Sequence, residues 1–283
     1  MDFILFDNKL VSSTHTSSLL SNRGFLYGDG FFETICIRNA HVFFLEDHVE
    51  RALLASTTLM MDDHIKNTDS LFIQIKKIWA ANKKPNNAIV KCMVWRNSEG
   101  LYEPSTNKAH MILELKPFRE AKMIKQRVGI AENTFNVKTI HSAFKSLSAL
   151  HYVLAGLEKK QKHFDEILLL DQAGNISEAN SSALFWIHDN EVFTPSLDTG
   201  CIEGITRKKI IRLCQAWNIA LHEVKTAWTS IPKEAMVFTA NIAGLSAIAA
   251  IEDRAFQLDH ALFQRFKEGL FSPSFSQNLE TVN

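Results

Sequence analysis

Cysteine is scarce in this chain. Only Cys36, Cys92, Cys201 and Cys214 occur in 283 residues. None stands in a CxxC pair or at metal-ligand spacing, which argues against a zinc centre or a disulfide framework. No metal is expected, and the thiols are expected to be reduced and mostly buried, as in a cytoplasmic protein. Net charge is lacking too. Lys+Arg and Asp+Glu both number 31, so no basic field favours nucleic acid and there is no acidic tail. The longest apolar segment, 235–251, is interrupted by Thr239, Asn241, Gly244 and Ser246, too polar and too short for a bilayer span. The opening MDFILFDNKL carries acids within its apolar run and no basic lead, unlike a signal peptide. Tyrosine falls to 3 while phenylalanine reaches 20, which predicts a large dry core.

What is present reads as alternating strands and helices. Phe3–Phe6 and Leu10–Val11 flank Asp7-Asn8-Lys9 as a hairpin. In NRGFLYGDGFFET, Gly24, Gly28 and Gly30 sit among aromatics, as where a backbone approaches something closely, but the spacing is not that of a dinucleotide loop. Glu33–Arg38 predicts a strand, Asn39-Ala40 a turn, and His41–Leu45 the returning strand. Asp47 is the expected N-cap of the next helix, with His48 and Arg51 on one face and Val49, Leu53 and Met60 on the buried side. Leu71–Ala81 predicts a second helix, and Ala88–Trp95 and Ala109–Lys116 two more strands.

Pro117-Phe118-Arg119-Glu120 opens the expected linker, 118–121, between a small α+β domain over 1–117 and a larger one over 122–283. Beyond it, Arg127–Glu132, Glu166–Asp171, Ser177–Ile187 and Glu191–Thr194 read as strands. Gly204-Ile205-Thr206 opens a helix to about Trp217, and Met236–Thr239 is a final strand. The polar tail from Ser272 is expected to fray.

Ile140–Leu157 is predicted helical, with Leu147, Leu150, Leu154 and Leu157 at helical spacing around Lys145. A buried lysine becomes nucleophilic through a depressed pKa, as Schiff-base chemistry requires. A snorkelling surface lysine fits the same stretch. The helix start at Gly204-Ile205-Thr206 suits a phosphate, and Arg51 offers either a bidentate clamp or a solvated charge. Glu178, after the turn in GNISEANSSALF, can hold a protonated ring nitrogen or face solvent. An imine lysine, a phosphate anchor and a carboxylate partner are the protein's share of pyridoxal-phosphate chemistry.

In order, RGFLYGDGFFET, HVER, KSLSALHYVLA, DEILLLDQAGNISEANSSALFW, TPSLDTGCIEGITR and VFTAN resemble the fold-type IV pyridoxal-phosphate enzymes, the class IV aminotransferases, nearly end to end. The resemblance implies a two-domain α+β fold, a small domain beside a larger pseudo-barrel domain with the cofactor between them. It implies that Lys145 carries pyridoxal 5'-phosphate as an imine and moves the proton. It assigns Glu178 to the pyridine nitrogen, and Arg51, Ile205, Thr206, Ala240 and Asn241 to the phosphate. It also implies a homodimer whose active site lies near the interface.

Departures fall on the substrate side. Phe32 stands where D-amino-acid aminotransferases carry tyrosine, FFET replaces the FEG of branched-chain enzymes, and Ala183 replaces a usual asparagine. The loop RNSEGLYEP lacks the second arginine and the histidine that trap a D-amino-acid carboxylate, which leaves Phe32, Arg96 and Tyr102 as expected substrate contacts. ANSSALFW, VFTPSLD, GITR and the Ala-Asn turn resemble the 4-amino-4-deoxychorismate lyase branch. The implied activity is that lyase or, with the same lysine, an amino-acid aminotransferase. A cofactor-binding protein without turnover fits poorly with intact Lys145, Glu178 and Arg51.

Overall fold

The computed structural model describes residues 3–6, 9–12, 22–62, 64–97 and 99–280. The chain opens with β1 (Phe3–Phe6) paired antiparallel to β2 (Lys9–Ser12). The hairpin is as expected, although its turn residues Asp7 and Asn8 lie outside the described residues. A short helix, α1 (Arg23–Tyr27), follows with Asn22 as its cap and Gly28 in the left-handed region at its end. Sequence reading missed this helix, because a glycine sits inside it.

An antiparallel sheet comes next, built from β3 (Gly30–Arg38), β4 (His41–Phe43), β5 (Ala88–Arg96) and β6 (Ala109–Pro117). Asn39 and Ala40 both adopt positive φ in the β3–β4 turn, whose twist suits a two-residue hairpin. Helices α2 (Leu45–Thr58) and α3 (Thr68–Ala81) share a core with this sheet through Ile35, Val49, Ala52, Leu71, Ile75 and Val90. Asn67 caps α3 reciprocally with Ser70, a capping box.

Asp47 is not the cap of α2. Phe44 holds that position, and Asp47 sits in the first turn, where the helix dipole favours an acid. It pairs there with Arg212 at 2.6 Å. Val49 is buried as expected, but Met60 lies beyond the helix end and is 75% exposed.

After β6 come β7 (Ile124–Lys125), β8 (Val128–Ile130), α4 (Leu150–Gln161), β9 (Glu166–Leu170), β10 (Ile176–Ala179), β11 (Ala183–His188), β12 (Glu191–Pro195) and α5 (Ile205–Ala216). β13 (Leu221–Val224), β14 (Met236–Asn241), β15 (Gly244–Ile248), β16 (Ala250–Ile251), β17 (Arg254–Ala255), α6 (Ala261–Leu270) and β18 (Ser276–Asn278) complete the chain. Two sheets result, in the orders β10-β9-β8-β16-β17 and β13-β12-β11-β14-β15-β7. Val128, Leu168 and Ile176 of the first share one buried cluster with Leu184, Trp186 and Val237 of the second. Helices α5 and α6 cover the second sheet through Ile210, Leu213, Phe263 and Phe266. This is the two-domain α+β architecture the motifs implied.

Three further expectations need correcting. Ile140–Leu157 is not one helix: α4 begins only at Leu150, and Lys145 lies in irregular chain before it. Leu150, Leu154 and Leu157 of α4 point outward, 68%, 46% and 58% exposed. Ser177–Ile187 is two strands in different sheets, because the chain turns at Asn180-Ser181 and changes sheet. The polar tail does not fray over its described part. β18 pairs with β4 and adds an edge to the first sheet, and Leu279 is fully buried. No helix among the described residues is long and apolar enough to cross a membrane. All four cysteines are free and buried, as expected.

Candidate active site

A cavity of about 630 Å³ opens where the first sheet meets the two later ones. Phe32, Arg51, Lys145, Glu178, Ile205, Thr206, Ala240 and Asn241 all line it. Residues as far apart in sequence as Phe32 and Ala243 thus line one cavity.

Lys145 is placed by backbone pairing. Its carbonyl accepts from Phe32 N at 2.9 Å, Leu147 N donates to Gly30 O at 2.9 Å, and Phe31 bridges Ser146. The segment is therefore held against the start of β3 by these two hydrogen bonds and one isolated antiparallel bridge. Glycine is needed there. A Cβ at Gly30 would lie 2.2 Å from Val94 O, and one at Gly28 2.9 Å from Ser148 N. The close approach at Gly28 is to the lysine segment, and at Gly30 to the β5 backbone and to Leu147 of that segment. Lys145 is half-buried, and among the described residues no ion pair holds its amine. Burial depresses its pKa, helped by the Arg51 charge and opposed by Glu33 and Glu178. Its Nζ lies 5.5 Å from the centroid of the Phe32 ring, with Lys91 Nζ 3.1 Å from the same ring.

Glu178 sits on β10, 5% exposed. Its Oε1 accepts from Tyr152 Oη at 2.6 Å, Asn136 Nδ2 at 2.9 Å and Ile202 N at 3.2 Å. Burial pushes the carboxyl up to about 7, against those three donors and the Lys145 charge. Desolvation dominates because the charged form has left water.

The far wall is built for an anion. Gly204 caps α5 without a side-chain acceptor, so its first N–H groups stand open beside the cavity. Thr206 Oγ1 is buried there with no hydrogen-bond partner. Asn241 Nδ2 donates to Ser182 Oγ at 2.9 Å, and its Oδ1 accepts from Ala243 N at 2.8 Å, which fixes the β14–β15 turn.

Arg51 is not solvated. It forks onto Glu33, with Nε to Oε1 at 2.7 Å and Nη2 to Oε2 at 2.6 Å, and Nη1 reaches Glu203 O at 3.0 Å, next to the cap of α5. His48 Nδ1 also contacts Glu33 Oε2, at 2.7 Å. Burial alone would raise Glu33, but Arg51 and His48 overcome it and hold the carboxyl at about 2. Burial keeps His48 below the ordinary imidazole range despite Glu33.

Two expected substrate contacts do not reach this cavity. Arg96 is buried elsewhere, bound to Asp29 Oδ2 at 3.0 Å, Asn107 Oδ1 at 2.9 Å and the carbonyls of Met60 and Leu59. It ties β5 to the end of α2, a structural role. Tyr102 is 87% exposed, its ring 5.7 Å from that of Tyr27. Sequence reading in turn missed Glu33, Asn136 and Tyr152. Tyr152 carried a signal, as one of only 3 tyrosines, seven positions after Lys145.

The cavity fits a phosphorylated aldehyde: an amine on one wall, an unpartnered hydroxyl and helix N-terminus on the other, and a buried carboxylate between. Comparison with known proteins agrees. The chain is 25% identical over 236 residues to a putative branched-chain-amino-acid aminotransferase of Methanocaldococcus jannaschii, covering 79% of this chain and 81% of that one. It is 25% identical over 249 residues to an aminodeoxychorismate lyase of Vibrio harveyi, covering 83% and 89%. The PLP form of the branched-chain aminotransferase from Thermobaculum terrenum superposes with a TM-score of 0.82 over 99% of both chains at 15% identity, which shows the shared fold. The amino-transferase class IV family matches residues 30–251, and this chain belongs to it.

Proposed function

We propose that this pyridoxal-phosphate-dependent enzyme is a 4-amino-4-deoxychorismate lyase, releasing pyruvate and 4-aminobenzoate for folate synthesis. The cofactor supplies a carbonyl for an amine and a ring that takes up the electrons released at the substrate carbon. In this reading Lys145 Nζ would hold the cofactor, would take the proton from the carbon bearing the substrate amine, and would serve as acid for the product. Its depressed pKa keeps a larger share of the amine unprotonated near neutral pH. Glu178 Oε2 would be the acceptor for the ring nitrogen. Thr206 Oγ1, the N–H groups of Ile205 and Thr206, and the turn at Ala240-Asn241 take the phosphate, with the outer edge of Arg51 as the added charge.

One observation supports the lyase over a small amino-acid substrate. Arg51 is the only arginine among the described residues lining the cavity, and its fork is committed to Glu33. Among the described residues lining the cavity, no second guanidinium stands beside Arg51 to clamp a small substrate's carboxylate. Phe32 lacks the hydroxyl of a tyrosine but offers a ring face on which a cyclic substrate stacks. The second reading, transamination of an α-amino acid with the same lysine, draws on the Methanocaldococcus jannaschii relative. Assaying aminodeoxychorismate for pyruvate release, beside L- and D-amino acids with 2-oxoglutarate, separates them. The expected result is pyruvate release and, for D-amino acids, turnover lower by about two orders of magnitude or more. Rapid transamination without pyruvate release overturns the lyase.

We also propose that the enzyme is a homodimer. The outward leucines of α4 make an apolar stripe that a monomer would leave in water. Sedimentation equilibrium is expected to give twice the chain mass of 32.1 kDa. A monomer at micromolar concentration would refute the assignment.

A further inference from the structure

We propose that Tyr152 is the positioning residue that fixes the Glu178 carboxylate for the cofactor ring. This rests on the pyridoxal-phosphate reading of the site. Three donors from three separate segments converge on Glu178 Oε1: Tyr152 Oη from the first turn of α4, Asn136 Nδ2 from the chain after β8, and Ile202 N from the approach to α5. Among the described residues no hydrogen bond goes to Oε2. The carboxyl group is therefore held by one oxygen and presents the other, with its lone pairs free, to the cavity. That is the arrangement a ring N–H needs: an acceptor whose direction is set before the ligand arrives.

Tyr152 is the strongest of the three holds. Its bond is the shortest, at 2.6 Å, and an O–H donated to a carboxylate is a charge-assisted bond. It is also the largest single influence opposing the rise of Glu178, ahead of Ile202 and Asn136. Asn136 has both its N–H groups in use, on Ser177 Oγ and Glu178, each at 2.9 Å. It cannot compensate when the hydroxyl is lost. The Tyr152 ring, meanwhile, is 4.0 Å from the His151 ring and packs against the cluster of Ala155, Ile167 and Leu169, so phenylalanine keeps the packing.

The titratable groups facing Glu178 are Tyr152 on α4, Cys201 before α5, and Lys145. Burial raises Tyr152 and Cys201, the latter to about 11, so both stay neutral at physiological pH. Lys145 titrates but is the same in both proteins compared below, so its effect cancels in their ratio.

Tyr152→Phe is expected to move the Glu178 titration in the cofactor-free protein upward by about one to two units. Isotope-edited infrared spectra of glutamate-labelled protein read this directly, with Glu178→Gln assigning the band. Pyridoxal-phosphate affinity of Tyr152→Phe is expected to fall about tenfold near and below pH 7, where Glu178 is now protonated. The deficit closes at about pH 10, where it is ionised in both proteins. A merely structural role lowers affinity equally at every pH. An unchanged Glu178 titration, or a pH-independent loss, overturns the inference. If wild-type protein takes up no pyridoxal phosphate at any pH, the cofactor reading itself fails. That outcome is distinct from wild type binding while the variant matches it.

Discussion

Lys145→Ala is expected to lower turnover by about four orders of magnitude or more while leaving the fold intact, because one amine serves as both tether and base. The fold is spared for a local reason. What Lys145 contributes to structure is its backbone: the carbonyl bonded to Phe32 N and the neighbouring amide bonded to Gly30 O. Alanine keeps both. Its side chain is half-buried in an open cavity wall and pairs with no acid, so truncation leaves neither an orphaned charge nor a closed void. Borohydride treatment of wild type is expected to fix the cofactor on Lys145, read by peptide mass, and the variant is expected to take no label. Added primary amines are expected to restore part of the rate, since the missing group is a small base at a reachable place. Retention of a tenth of wild-type turnover, or labelling of another lysine, would move the chemistry elsewhere.

The motifs were legible because their chemistry is local. Gly204-Ile205-Thr206 is a helix start in sequence and in structure, and β3, β5, β6, β9, β12 and β14 follow from alternation and β-branched content. Legibility failed where tertiary contacts decide. The leucine spacing from Leu147 to Leu157 is helical, yet backbone pairing with Gly30 and Phe32 keeps the Lys145 segment out of the helix, which begins only at Leu150. An apolar stripe does not say whether it faces a core or a surface, and the α4 leucines face outward. The same hydrophobic run serves β10 and β11, though the chain changes sheet between them. β18 is polar because edge pairing uses the backbone, so its sequence gives no strand signal. Arg96 and Tyr102 were singled out from a loop motif, and three-dimensional placement alone shows that Asp29 and Asn107 hold Arg96 away from the cavity.

Arg51→Ala is expected to do more than weaken cofactor binding. It is expected to destabilise the fold by about 3–5 kcal/mol, because it leaves the Glu33 carboxylate charged and buried without its partner. Glu33 and Arg51 are 1% and 5% exposed, so water cannot take the partner's place. The linkage has a definite sign. Glu33 is depressed from 4.5 to about 2, so its stabilising contribution is present above pH 4.5 and is lost as pH falls toward 2. In the variant the carboxyl rises instead and takes up a proton on acidification, so the deficit in urea unfolding is expected to be largest near neutral pH and to shrink toward pH 4. Arg51→Met combined with Glu33→Gln removes both charges and keeps an acceptor for His48 Nδ1. It is expected to recover most of the lost stability, since apolar replacement of a buried pair is often neutral. That double variant isolates the second role of Arg51. With the fold restored, pyridoxal-phosphate affinity is still expected to be roughly tenfold to a hundredfold weaker, the size of one charge-assisted contact to phosphate. A urea midpoint for Arg51→Ala equal to that of wild type would show that the pair contributes nothing to the fold. Full cofactor affinity in the double variant would leave Arg51 as the counter-ion of Glu33 alone.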